Sequence, residues 1–207
     1  MNPHFDLNLY LVTDIPARCT LPLAETVEAA IAGGVSIVQY RSEHTYGGAA
    51  YREALPIAAV CRKNGIPFIV NDRIDLALAL DADGVHIGQR DFPPEVARRI
   101  LGPGKIIGFS CSSLSEVRAV DEKLVDYLGL GPVFPTQTKT DAAPAMGLEE
   151  LALCASATPL PVVAIGGINA GNAHSVRAAG TQMGLAVVSA ICAAPDPRLA
   201  AEALRER

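Results

Sequence analysis

Residues 161–190 read PVVAIGGINAGNAHSVRAAGTQMGLAVVSA. An apolar, β-branched run at 161–165 meets the pair Gly166-Gly167. A helical segment then ends at Gly180, and a second apolar run at 184–188 closes on Ser189. Both runs are nearly continuous rather than alternating, the pattern of parallel strands covered on both faces.

The same unit recurs toward the N-terminus. Apolar runs at 7–12, 36–40, 68–70, 84–87, 105–109 and 127–131 bring the strand candidates to eight. Between them, Leu23, Val27, Ala30 and Ile31 fall at i, i+4, i+7 and i+8 and stop at Gly33-Gly34, while Leu148, Leu151, Ala152 and Ala155 fall at i, i+3, i+4 and i+7. Ser113 and Glu116 have the spacing of a capping box. Gly65 with Pro67, Gly102-Pro103-Gly104 and Gly180 mark helix ends. Eight unbroken strand–helix units predict an α/β protein with a single (β/α)8 barrel domain over residues 1–207. An open doubly wound sheet competes, but the first strand ends Val12-Thr13-Asp14-Ile15-Pro16, without the glycine-rich turn that fold uses.

Composition narrows the function. Half of the 207 residues are hydrophobic and 19% are charged, enough for one sizeable core and too short a chain for two typical domains. Lys and Arg number 17 against 22 Asp and Glu, net −5, so no global positive field exists to hold nucleic acid. The longest apolar segment, 184–194, falls well short of the ~18 residues of a membrane span, and the opening MNPHFDLNLY has no basic stretch before an apolar run. A cytoplasmic protein that engages no membrane is expected. The five cysteines are odd in number, scattered and without a C-x-x-C pair, and read as buried small hydrophobes rather than a disulfide framework or zinc site.

In such barrels the chemistry sits where the strands end. The runs lead into Gln39-Tyr40-Arg41, Asn71-Asp72, Gln89-Arg90-Asp91, Ser110-Cys111, a loop from Gly131 to Lys139, Gly166-Gly167 and Val188-Ser189. Asp72 and Asp91 follow neighbouring strands, spaced ~4.8 Å, and two carboxylates without His or Cys suit Mg²⁺. The alternative is that each caps the helix that follows. Arg41 and Lys139, with Thr136 and Thr138, form one candidate anion cradle; Gly166-Gly167 with Val188-Ser189 form a second. His86 reads as a packed, hydrogen-bonded strand residue, and Cys111 lacks an evident base. No G-x-S-x-G nucleophile is present.

Taken in order, Val38-Gln39-Tyr40-Arg41, Val70-Asn71-Asp72-Arg73, Asp83-Gly84-Val85-His86-Ile87-Gly88-Gln89 with Asp91, Gly131-Pro132-Val133-Phe134-Pro135-Thr136-Gln137-Thr138-Lys139, Ala164-Ile165-Gly166-Gly167-Ile168 and Ala186-Val187-Val188-Ser189-Ala190 resemble the thiamine phosphate synthase family over essentially the whole chain. The resemblance implies coupling of a 4-amino-2-methylpyrimidine methyl diphosphate to 4-methyl-5-(2-phosphoethyl)thiazole, with release of pyrophosphate. It implies one Mg²⁺ on Asp72 and Asp91, and Arg41, Asn71 and Lys139 at the diphosphate. Gln39 and Ser110 would address the pyrimidine; Thr136, Gln137, Thr138, Gly167, Val188 and Ser189 would hold the thiazole phosphate. Arg41, Ser110 and Lys139 are the catalytic assignments. Partners are then the two small molecules, and a homo-oligomer is compatible with the sequence.

The chain departs from the family pattern in two places. Glu43 stands where a lysine is usual two residues after the arginine, and Gln182-Met183 replaces an Ala-Asp turn before the last strand. The rival readings are a thiazole tautomerase on the same barrel, or a noncatalytic binder of phosphate ligands if Glu43 disables the diphosphate site. Retention of Asp72, Asp91 and Lys139 favours the synthase.

Overall fold

The structure is a computed structural model that describes residues 5–42, 45–136, 138 and 143–205. Eight strands appear where the apolar runs place them: β1 (Leu9–Val12), β2 (Ile37–Tyr40), β3 (Phe68–Asn71), β4 (Gly84–Ile87), β5 (Ile106–Cys111), β6 (Tyr127–Leu130), β7 (Val162–Ile165) and β8 (Gly184–Val187). Each pairs in parallel with the next, and β8 pairs with β1, closing the barrel. Nothing of the open doubly wound alternative remains.

Helices α1 (Leu23–Ala32), α2 (Gly47–Asn64), α3 (Ile74–Ala79), α4 (Pro94–Leu101), α5 (Leu114–Ala119), α6 (Gly147–Ser156) and α7 (Ala173–Ala178) follow β1 to β7 in turn. After β8 the chain forms a single turn, α8 (Ser189–Cys192), and then α9 (Pro197–Arg205), which packs against α1. Among the described residues, no helix is long and apolar enough to cross a membrane.

The strand period of two divides the buried residues into two cores. Leu9, Leu11, Val38, Tyr40, Val70 and Val85 face outward and pack with helix residues such as Val27, Ile57 and Leu151. Tyr10, Val12, Ile37, Ile69, Ile106, Tyr127, Val163 and Ala186 fill the barrel. The register sets Tyr10 beside Ile37, Val12 beside Gln39 and Asn71 beside His86. Continuing that parity toward the strand ends brings Gln39, Asn71 and Ser110 to the inner side of the rim.

At the opposite, N-terminal end the polar groups bond to one another. Asp126, just before β6, accepts from the Ile107 N–H at 2.8 Å and from Arg98 Nη2 at 2.7 Å. Arg98 also donates to the carbonyls of Gly102, Lys105 and Leu124, joining α4 to β5 and β6. Asp83, before β4, accepts the Phe68 N–H at 2.8 Å. Gln182 stands at this end in a left-handed turn with φ 58°, and Met183 is buried, so this departure from the family pattern lies away from the rim.

The capping box is half formed. Ser113 Oγ accepts the Glu116 N–H at 3.3 Å, but the Glu116 carboxylate returns to the N–H and hydroxyl of Ser112, at 2.6 and 3.0 Å. In α6 the deepest residues are Leu151 and Cys154, with Ala152 only half-buried, a rotation of the buried stripe relative to the spacing argument.

Candidate active site

The C-terminal strand ends surround a pocket of about 1520 Å³. Single-ligand sites span roughly 300–1,000 Å³, so this one has room for two small molecules at once. Gln39, Arg41, Asn71, Asp72, Asp91, Ser110, Thr136, Thr138, Gly167, Val188 and Ser189 all line it. Gln137, Lys139 and Glu43 lie outside the described residues.

The carboxylate side is built by β3 and β4. Asp72 continues the ladder past β3, its N–H donating to the His86 carbonyl at 2.8 Å, and then turns into the left-handed region at φ 60°. A non-glycine residue held there costs roughly 1–3 kcal/mol and persists where the surroundings fix it, often at a functional site. Asn71 Nδ2 donates to Asp72 Oδ2 at 2.6 Å. Asp91 sits one loop away, where its Oδ2 accepts the Gly88 N–H at 2.7 Å. Neither aspartate caps a helix: Arg73 occupies the cap position of α3 and Pro93 that of α4, and neither helix has a side-chain cap bond.

That removal of the capping role leaves the donor set to be weighed for a cation. Among the described residues, no group of three or more His, Cys, Asp or Glu side chains comes together as a metal cage. Two carboxylates in one pocket, with the other positions left to water and phosphate oxygens, is the donor chemistry of Mg²⁺ and not of a structural zinc.

The cationic side comes from β1 and β2. The Arg41 N–H donates to Thr13 Oγ1 at 3.0 Å, and Thr13 Oγ1 faces the Arg41 carbonyl at 3.4 Å, so the end of β1 fixes the backbone that carries the arginine. Arg18 enters the same pocket and was not singled out in the sequence. It pairs with Asp14 at 3.5 Å and donates to the Thr138 carbonyl at 3.4 Å, tying the loop after β1 to the loop after β6.

On the far side, Gly166 and Gly167 have φ 104° and 65°, and a Cβ on either would collide with the Pro132–Pro135 segment that rides over them. Any other residue there would force the loop or the strand end beneath it to shift. Thr136 Oγ1 accepts the Thr138 N–H at 3.2 Å within the loop. Ser189 is the first residue of α8, so its N–H is among the orphan donors of a helix start, next to the glycine pair.

The pocket floor is polar. Gln39 Nε2 donates to Tyr10 Oη at 2.9 Å, Tyr10 Oη meets Tyr127 Oη at 2.8 Å, Tyr127 Oη meets His86 Nδ1 at 2.9 Å, and His86 Nε2 meets Ser110 Oγ at 2.8 Å. His86 is thus the packed, hydrogen-bonded residue expected, but it joins Ser110 to two tyrosines that the strand pattern had presented only as apolar bulk. Cys111 is buried, and that burial pushes its thiol up to about 12, which rules out an activated thiolate at the pocket wall.

Residues 9–191 match the family model described as thiamine monophosphate synthase. The chain is 50% identical over 204 residues to the thiamine-phosphate synthase of Azorhizobium caulinodans, covering 98% of this chain and 96% of that one. It is 49% identical over 200 residues to the thiamine-phosphate synthase of Albidiferax ferrireducens, covering 97% and 91%. Among solved structures, the thiamine phosphate pyrophosphorylase from Pyrococcus furiosus superposes with a TM-score of 0.86 at 40% identity, covering 97% of this chain and 94% of that one. A matched segment of this length, with half of the residues identical to a relative over nearly the whole chain, establishes that the chain belongs to the thiamine monophosphate synthase family.

Proposed function

We propose that this chain, as one barrel domain over residues 1–207, is a transferase that joins a 4-amino-2-methylpyrimidine methyl diphosphate to a 4-methyl-5-(2-phosphoethyl)thiazole, giving thiamine phosphate and pyrophosphate. The observation that carries the reading is a single pocket with carboxylates and Arg41 on one side and the Gly167–Ser189 backbone on the other. Two anionic substrates need two such sides.

Asp72 and Asp91 are the residues that would hold Mg²⁺, and the ion, when bound, supplies positive charge to the leaving diphosphate. Arg41, Asn71 and Lys139 bind the same group. Gln39 and Ser110 orient the pyrimidine. Thr136, Gln137, Thr138, Gly167, Val188 and Ser189 hold the thiazole phosphate and so place the thiazole nitrogen. The C–O bond of the pyrimidine methylene breaks with its electron pair leaving on pyrophosphate, and the thiazole nitrogen lone pair forms the new C–N bond. The ring amino group stabilises the methyl cation between the two events. No protein nucleophile is used, in accord with the protonated Cys111, and the residues act by positioning and charge stabilisation.

The reading makes a cytoplasmic enzyme whose partners are small molecules, with no nucleic acid or membrane involved. Incubation with both substrates and Mg²⁺ is expected to release pyrophosphate and thiamine phosphate in equal amounts, and EDTA is expected to stop it. Isomerisation of a thiazole without pyrophosphate release would identify a tautomerase instead. Ligand binding without either reaction would identify a noncatalytic binder.

A further inference from the structure

The five side chains Gln39, Tyr10, Tyr127, His86 and Ser110 form one unbroken hydrogen-bonded path across the inside of the barrel, and both its ends line the pocket. Burial raises both phenols above their usual range, so each tyrosine keeps a single hydroxyl proton. Room for the path is set by sequence: a Cβ at Gly108 would collide with Tyr127 and His86, and one at Gly129 would press on the His86 ring.

Proton counting gives the path a direction. The amide NH₂ of Gln39 can only donate, so Tyr10 Oη accepts from it. The Tyr10 proton then has Tyr127 Oη as its hydrogen-bond partner; turned anywhere else, it would be a buried donor without an acceptor. Tyr127, having accepted, donates its proton to His86 Nδ1, which must be bare. His86 therefore carries its proton on Nε2 and donates it to Ser110 Oγ. Ser110 is left with its own hydroxyl proton to present to the pocket. At the other end, the Gln39 amide oxygen accepts no hydrogen bond among the described residues and is not a buried unpartnered atom, so it faces the pocket as an acceptor.

We propose that this relay couples the two ends, holding Gln39 as acceptor and Ser110 as donor, and thereby makes the pocket specific for a 4-aminopyrimidine over its 4-oxo counterpart. The inference rests on the reading of the pocket as a pyrimidine diphosphate site. A 4-aminopyrimidine edge offers an amino N–H beside a bare ring nitrogen: Gln39 accepts the first and Ser110 donates to the second. The 4-oxo tautomer offers the inverse, a carbonyl beside a ring N–H. Accommodating it would require the Gln39 amide to turn over and every bond of the relay to reverse together. A site whose polar groups would be left mispaired rejects an analogue far more strongly than shape alone. Tyr10, Tyr127 and His86 are positioning residues in this scheme, acting through Gln39 and Ser110.

Two measurements test it. Calorimetry without thiazole phosphate, using the 4-amino and 4-oxo pyrimidine methyl diphosphates, is expected to show at least a ~100-fold preference for the amino form, and Tyr127→Phe is expected to narrow that ratio at least ~10-fold while thiazole phosphate affinity is unchanged. A ratio unchanged in Tyr127→Phe would overturn the coupling, as would equal binding of the two forms by the wild type. Should Tyr127→Phe fail to fold, Tyr10→Phe takes its place with the same expectations. Independently of any ligand, ¹⁵N NMR of the wild-type protein should find His86 as one neutral tautomer protonated on Nε2. A proton on Nδ1, a tautomer mixture or an imidazolium overturns the proposal. If neither pyrimidine binds, the functional reading fails, and the His86 tautomer still decides the relay.

Discussion

The two ends of the barrel carry similar residues put to opposite uses. At the N-terminal end, Asp126 is 5% exposed and its carboxylate is taken up by Arg98 and a strand N–H. At the C-terminal end, Asp72 stands in a left-handed conformation on the pocket wall, and Asp91 accepts one backbone N–H from Gly88 beside it. One end consumes its polar groups in closing the fold, whereas the other presents them to a ligand. Stability and activity should therefore separate along the barrel axis.

The largest expected effect belongs to the closed end. Asp126→Ala removes a buried carboxylate, taking the partner from the half-buried Arg98 guanidinium and leaving the Ile107 N–H unpaired, which costs about 3–5 kcal/mol, or a fall in Tm on the order of 10 °C. Thermal unfolding checks the size, and the activity of the protein that remains folded should be close to that of the parent. Ser189→Asp, at the open end, puts a fixed anion where the thiazole phosphate is proposed to sit. Calorimetry should show that ligand weakened at least ~100-fold, about 2.7 kcal/mol, with the pyrimidine diphosphate spared. Equal weakening of both ligands would show that the two anion sites are wrongly separated.

Smaller effects sharpen the contrast. Ser113→Ala loses the N-cap bond of α5 and should cost about 1 kcal/mol in denaturant unfolding with no change in kcat. Glu43→Lys restores the charge usual in the family. It should lower the KM for the pyrimidine diphosphate several-fold, on the order of 1 kcal/mol, with a smaller gain for Glu43→Gln. An unchanged KM in both variants would place Glu43 away from the diphosphate.

What could be read from the sequence follows the same division. The strands were legible because β1, β2, β4, β6 and β8 are buried along their whole length, so their composition is nearly all apolar. The rim was legible because residues such as Asp72, Arg41 and Ser189 interrupt those runs at the same end of each unit. Tyr10 and Tyr127 were not, since a tyrosine in an apolar strand looks like core and only the register shows that their hydroxyls meet across the barrel. Parity was the available signal: Tyr10 alternates with Leu9 and Leu11 and so points inward. Arg18 was missed because it lies in a short 3-10 turn at Pro16–Arg18, where no periodicity exists to read. Whether Asp72 capped a helix depended on one backbone angle that residue identities do not specify.

The most direct test of the division is Asp72→Asn, measured for activity and stability together. Asparagine tolerates the left-handed conformation and keeps the shape of the side chain, so only the charge is lost. The account predicts a fall in kcat/KM for pyrophosphate release of at least ~100-fold, about 2.7 kcal/mol of transition-state stabilisation, with Tm within roughly 2 °C of the parent. Full activity, or a loss of Tm as large as that of Asp126→Ala, would contradict it.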